Sequence, residues 1–482
     1  MKSLICRGRL IQYFVAFYAN FGILSYSLAV GWISNNVSIL TSEETPLISG
    51  PLSIRQISLL GSIIYLTAIP GSLLFGWLAD RIGRKWSLYI GMLIYFVSFL
   101  LIPLSSSYTT LVIARALTGI ACGCTFVVSP VFVSEIAEKE YAIVTLTLIQ
   151  FLDRKIVFFF LPMYRIRGYL GFIFNIIITT GISISWIICK NVTFNAAPFV
   201  FMALISTIFV VFLFVHESPQ FLLLRGKEEE ARDSLKFFRG VKKHQELPVQ
   251  VQEEFEELKN SPTLRIQEEK ISLEDLKIPA IRKAMMICCV VYAGKYTSGI
   301  QVIVVYLGSL FVQMNTRMDS ITAALISVCF ALPGSFLAFT VVESWGRKAV
   351  LVCSSILTAV SFVPVILILR FNHLWKLPDY LSILSVGLIL LISSFGLIAL
   401  PMQISAEILP PKLRSKVCAF MMIMVWIGMF IMANYFLPWS ESLGMDVLIC
   451  FFFLWCLFEG VFVWKLMPET KGKTYDEIAQ AF

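Results

Sequence analysis

The sequence predicts an all-α membrane protein with twelve transmembrane helices in two six-helix pseudo-repeated halves. Three observations predict it. The 482 residues are 58% hydrophobic and only 15% charged, with a mean hydropathy of +0.81. A soluble chain of this length could not cover so much apolar surface with a polar skin, so the composition fits a chain whose solvent is lipid. Apolar runs of about 20 residues, long enough to cross a bilayer at a rise of about 1.5 Å per residue, recur along the chain. A charged motif also appears twice, at matching places in the two halves.

The runs fall at residues 11–33, 57–79, 86–104, 110–133, 168–189 and 195–216 in the first half. In the second half they fall at 284–313, 320–341, 349–370, 379–405, 415–438 and 443–466. The first is too long for a signal-peptide core and lacks a small-residue cleavage pattern, so it is expected to stay in the protein as a span. The organisation is therefore an N-terminal six-helix half at 1–216, a polar loop at 217–283, a C-terminal six-helix half at 284–466 and a tail at 467–482. Within the loop, KEEEARDSLKFFRG and PVQVQEEFEELKN read as short amphipathic surface helices separated by prolines.

Charge sets the sides. Of the 39 Lys and Arg, counting those at the very end of a span with the adjoining loop, 32 fall on the side of the termini, two (Arg115 and Lys295) lie deeper in spans, and five (Arg55, Lys190, Arg317, Arg370 and Lys376) fall on the other side. Without the 13 in the long central loop, 19 still stand against five. The positive-inside rule places both termini and the central loop in the cytoplasm of a multi-pass protein, expected in the plasma membrane. The sequons Asn36-Val37-Ser38 and Asn191-Val192-Thr193 then fall in outer loops. Asn36 is the better glycosylation candidate, because Asn191 sits tight against the membrane.

The net charge of +8 follows this topology and does not point to nucleic acid. The 11 cysteines, single or in close pairs inside apolar runs, show no disulfide framework and no zinc-ligand spacing. His216, His244 and His373 are far apart in the chain. No catalytic constellation converges, and the expectation is a monomeric non-enzyme without metal or cofactor, whose partners are a small solute and the bilayer.

The repeat carries the function. GWLADRIGRKWSL (76–88) follows the second span and FTVVESWGRKAVL (339–351) follows the eighth. Asp80 maps to Glu343, Gly83 to Gly346, Arg84 to Arg347 and Lys85 to Lys348, all at an offset of 263. VSEIAEKE (133–140) echoes SAEILPPKLRS (405–415) at the inner end of each half's fourth span. Carboxylates at helix ends facing basic turns make charge-assisted bonds between neighbouring helices, and such bonds can hold one face of a bundle shut. Duplicated halves around a midplane site are the architecture of secondary transporters; a continuous pore fits less well.

On these residues, with Arg115 in ARALTG, ESPQFLL (217–223) and PETKGKT (468–474), the chain resembles the sugar porter branch of the major facilitator superfamily. AVGWISN in the first span resembles the insect facilitated trehalose and glucose transporter group. The resemblance implies the major facilitator fold, alternating access and a sugar site between the halves. It also implies an inner gating charge network that locks the outward-facing state, carried over by position to Asp80, Arg84, Glu135, Arg167, Glu217, Glu343, Arg347, Glu407, Arg414 and Glu469. Proton-driven relatives are expected to carry a carboxylate in the first span. Residues 11–33 hold no Asp or Glu, and no G-x-x-x-x-G-K-[ST] loop occurs, so facilitated diffusion is expected.

The implied sugar site departs from the family pattern. Asn175 stands where a Gln follows Arg-Gly in the fifth span; Lys295 and Tyr296 replace two glutamines of the seventh; Gln301 replaces an asparagine. Met402 replaces a Trp after Pro401, and Val425 an Asn before Trp426. Amide pairs and an aromatic face suit vicinal hydroxyls, so the solute stays open: a hexose, a disaccharide such as trehalose, or a non-sugar. A non-transporting nutrient receptor on this scaffold is the rival reading. Lys295 either faces the cavity or snorkels to the inner surface; facing the cavity, it shifts selectivity toward an anionic or differently hydroxylated solute.

One stretch does not fit the repeat. Glu407 and Arg414 are seven residues apart, whereas Glu135 and Arg167 are 32 apart. The excess of 25 matches residues 141–165, which Asp153, Arg154 and Lys155 interrupt. A thirteenth span there would invert every later loop, against the charge count. The stretch reads as an insertion into a tight inner turn, either natural and lying at the headgroups or a retained intron or gene-model error.

Overall fold

The computed structural model describes residues 11–12, 14–15, 17–136, 169–241, 248–260, 278–375, 378–473 and 475–480. Arg167 and the stretch 141–165 lie outside the described residues.

Lipid leaves the backbone of a spanning segment no partner except itself, so the apolar runs become helices. In the first half these are α1 (Phe21–Thr41), α2 (Ile54–Ile82), α3 (Arg84–Leu101), α4 (Tyr108–Ile136), α5 (Tyr169–Asn191) and α6 (Ala196–Leu213). The central loop forms α7 (Pro219–Leu224), α8 (Glu228–Phe238) and α9 (Val249–Lys259). The second half comprises α10 (Pro279–Thr297), α11 (Ile300–Val305), α12 (Leu307–Gln313), α13 (Ser320–Cys329), α14 (Ala331–Trp345), α15 (Arg347–Trp375), α16 (Asp379–Phe395), α17 (Pro401–Ile408), α18 (Pro411–Leu443) and α19 (Met445–Leu466). A last short helix, α20, covers Tyr475–Gln480. Among the described residues, ten helical segments are long and apolar enough to cross a membrane, and Ala196–Thr207 and Asp379–Phe395 are shorter apolar helices in the sixth and tenth places. The twelve expected spans are all present.

Three are divided, but the eighth keeps helical dihedrals through Phe330 (φ −65°, ψ −22°) and runs on as one span, so two are truly discontinuous. The seventh breaks at Ser298–Gly299, where Gly299 takes φ +72°, and again at Tyr306. The tenth breaks between Phe395 and Pro401. Such breaks free backbone groups from the helical ladder and are tolerated at membrane depth only where protein or a cavity surrounds them.

The ends have identifiable causes. Ser53 and Gln56 form a reciprocal capping box that starts α2, and the Asp319 carboxylate caps α13. Gly71 on α2 faces Ile120 of α4, while Gly119 and Gly123 face the α2 backbone, so these two helices approach almost without side chains between them. The halves are joined at the face opposite the central loop. There Ser34 Oγ donates to Val304 O (2.7 Å), Ser62 Oγ to Asn434 Oδ1 (3.2 Å), and the Tyr306 hydroxyl, bonded mainly to Ala433 O of its own half (2.9 Å), also reaches Ser58 O at 3.5 Å.

One expected site changes place here. Asn36 is not in a loop: the first helix runs on to Thr41, and Asn36 is 3% exposed within it. Asn35 and Asn36 donate their amides back to Gly31 O and Trp32 O, which lets polar residues continue the helix. A buried helical amide is not a glycan acceptor, and Asn191 is the exposed sequon asparagine.

Candidate functional site

A central cavity of about 70 Å³ lies between the halves, with Tyr26, Tyr65, Phe126, Phe174 and Asn175 lining it from the first half. Lys295, Gln301, Met402 and Trp426 line it from the second. Four of the five residues expected at the solute site, Asn175, Lys295, Gln301 and Met402, are therefore brought together. Tyr296 is not: its ring packs on α18, where an added Cβ at Gly428 would stand 2.6 Å from it. One residue along a helix turns a side chain by about 100°, and that step carries Tyr296 away from the cavity that Lys295 faces.

The polar groups here differ in availability. The Asn175 amide is committed across the halves, donating to Ser335 Oγ at 3.0 Å. The aromatic wall was not legible beforehand. Phe126 meets Trp426 edge-on at 5.0 Å, and the Tyr65 ring stacks on Trp426 at 6.1 Å. Tyrosines deep inside spans were the available signal, since Tyr in membrane helices favours the interfaces. Behind them Arg115, fully buried, ties α4 to α1 and α2 by donating to Ala29 O (2.7 Å) and Leu60 O (3.2 Å).

On the central-loop face the motif repeat becomes two clusters of one design. In the first half Arg84 donates through Nε to Glu135 (3.1 Å) and pairs with it through a second nitrogen (3.0 Å), while Asp80 lies 3.3 Å away. Glu217 accepts the backbone N–H groups of Arg84 (3.0 Å), Lys85 (3.1 Å) and Ser218 (2.8 Å), and so caps α3 from 133 residues away. Burial pushes the Glu217 carboxyl above its ordinary value, and those N–H donors act against the shift by holding its charged form.

In the second half Arg347 donates to Glu407 (3.1 Å), and Glu469 accepts the N–H groups of Arg347 (2.9 Å) and Lys348 (3.2 Å). Each described pair stays inside its own half. Glu343 sits in the last turn of α14 and Arg414 in the first turn of α18, both at this face.

Gly83 (φ +104°) and Gly346 (φ +89°) make the turn that brings each N-terminus onto its carboxylate. An alanine Cβ at 346 would stand 2.6 Å from Glu469 Oε2. Gly346→Ala is expected to cost about 1–3 kcal/mol, combining the left-handed backbone penalty with displacement of the cap. Thermal unfolding of the purified protein checks this, and an unchanged melting temperature would count against the cap.

Sequence reasoning missed one intramembrane acid. Glu459, in α19, is 0% exposed, packs against Gly294 of α10, and finds no hydrogen-bond partner for either oxygen. Its signal was a lone carboxylate well inside the last apolar run.

Residues 7–152 and 163–482 match the family described as "Sugar (and other) transporter". The unmatched interval falls within the stretch that the repeat spacing marks as extra. Cattle (Bos taurus) "Solute carrier family 2, facilitated glucose transporter member 8" is 25% identical over 99% of this chain and 95% of that protein. "Facilitated trehalose transporter Tret1" of Polypedilum vanderplanki is 23% identical over 94% of this chain and 85% of its own. Among solved structures, the inward-open xylose transporter XylE of E. coli superposes with a TM-score of 0.73 at 18% identity, covering 98% of this chain and all (100%) of that one. At that identity the likeness establishes the fold.

Proposed function

The chain belongs to the sugar (and other) transporter family, and we propose that it carries a sugar-like solute down its gradient by alternating access. The observation that carries this is the central cavity, lined by residues of both halves and unable to reach both faces at once while the far ends are joined. In this reading residues 1–216 and 284–466 rock against each other around the cavity, and 217–283 forms a cytoplasmic loop above them. Residues 141–165 are an insertion between α4 and α5. The two charge clusters act as rigid corners that keep each half intact as the faces open and close. The termini face the cytoplasm at the plasma membrane, consistent with the loop charges.

Two relatives, a facilitated glucose transporter and a facilitated trehalose transporter, make hexoses and trehalose the first solutes to try. Uptake of radiolabelled glucose and trehalose into a host lacking its own carriers is expected to be saturable. With the membrane potential fixed, a protonophore is expected to leave it unchanged, because among the described residues α1 holds no carboxylate. Loss of uptake with the protonophore would overturn facilitated diffusion. Surface-expressed protein that binds solute without moving it would establish the receptor reading instead.

A further inference from the structure

We propose that the solute is a sugar acid, a hydroxylated ring bearing a carboxylate of hexuronate type, with Lys295 as the group that holds the carboxylate. The proposal rests on the transport reading above and names the substrate class of the same cavity.

Lys295 lies in the last turn of α10, just before the Ser298–Gly299 break. It lies deep in the protein but keeps part of its surface open, and it lines the central cavity. Its described contact is the Tyr292 ring, 5.9 Å from Nζ to the centroid. Among the described residues it has no ion pair and no hydrogen bond. The Tyr292 hydroxyl itself is engaged with Ser405 Oγ at 3.1 Å. A solitary ammonium at membrane depth is costly and marks a pathway or a missing partner.

The rest of the lining offers that partner's place to an anion. No Asp or Glu lines the cavity among the described residues. Glu459 lies against the neighbouring Gly294 from α19 but is absent from the lining and makes no ion pair with Lys295, so it does not neutralise Lys295 at the cavity surface. Behind Tyr26 and Tyr65 stands a second cation, Arg115, whose bonds go to carbonyls and one of whose terminal nitrogens is unsatisfied.

The uncommitted groups complete the match. The Gln301 amide makes no hydrogen bond among the described residues, and the Trp426 indole N–H is buried without an acceptor. A carboxylate gives Lys295 a short charge-assisted bond and cancels a charge that a neutral hexose would leave exposed. Gln301 suits hydroxyls, and the Trp426, Tyr65 and Phe126 rings suit the apolar face of a pyranose.

The test is binding of D-glucuronate and D-glucose to the purified full chain, by calorimetry or ligand-induced thermal shift, so that no transport step intervenes. Wild type is expected to favour glucuronate by about 10-fold or more, the range a hydrogen bond to a charged group supports. Lys295→Gln should bring the ratio of the two affinities to about one, whereas Lys295→Arg, which keeps the charge, should preserve the preference. A wild-type chain that binds glucose but not glucuronate overturns the proposal and leaves the sugar reading standing. Binding of neither overturns both. A preference unchanged in Lys295→Gln removes Lys295 from the role, and the wild-type ratio stands as a test even if that variant fails to fold.

Discussion

Arg84→Ala is expected to destabilise the protein by about 3–5 kcal/mol, the cost of leaving a buried charge without its partner. Arg84 is 4% exposed and Glu135 10%, whereas Asp80 is 74% exposed and contributes little as an ion-pair partner. The loss therefore comes from Glu135, with a smaller part from the bond that Arg84 makes to Ala79 O at 3.0 Å. Arg347→Ala should cost less, because Glu407 is 27% exposed and also accepts the Thr470 hydroxyl. Arg84→Ala with Glu135→Gln should recover a large share of the loss, since no orphaned charge then remains. Thermal unfolding of the purified variants, with surface abundance as a second readout, checks the order. Equal losses at Arg84 and Arg347, or no recovery in the double variant, would sink the burial argument.

That asymmetry was beyond the sequence, although the clusters themselves were not. The motif offset of 263 paired Arg84 with Arg347 and Gly83 with Gly346, because a duplicated fold needs the same turn twice. The twelve spans were legible for a similar reason, since in lipid an apolar run of sufficient length has few structural options besides a helix. Helix breaks were not legible. A single Gly299 at φ +72° interrupts the seventh span without altering its hydropathy.

Motif position found Asn175, Lys295, Gln301 and Met402, but it could not separate Lys295 from Tyr296, where one step along the helix decides between cavity and packing. Tyr26, Tyr65, Phe126 and Phe174 read as ordinary apolar filling, because nothing in the sequence shows that their spans meet around a cavity. Asn36 was misplaced for the opposite reason. A polar asparagine looks like a loop residue until its amide is seen folded back on Trp32 O.

The second large effect has the opposite sign. Glu459→Met is expected to stabilise the protein by about 1–3 kcal/mol, the usual cost of burying a polar group without a hydrogen bond. Neither Glu459 oxygen makes a hydrogen bond of good geometry, and the one polar group beside it, the buried Trp455 indole N–H one turn earlier, offers only a poorly aligned contact that falls short of offsetting the burial. Apart from Trp455 its neighbours are apolar or small: Gly294 on α10, Cys456 on its own helix, and Ile356 of α15 beside the adjoining Gly460. Methionine is of similar length and flexible enough to fill the space that Gly294 leaves open. A buried acid that costs stability persists where activity needs it, so transport by Glu459→Met should fall as its melting temperature rises. A lower melting temperature would mean that the carboxyl has a partner in the folded protein. A higher one with undiminished uptake would mean that Glu459 costs stability and contributes nothing to transport.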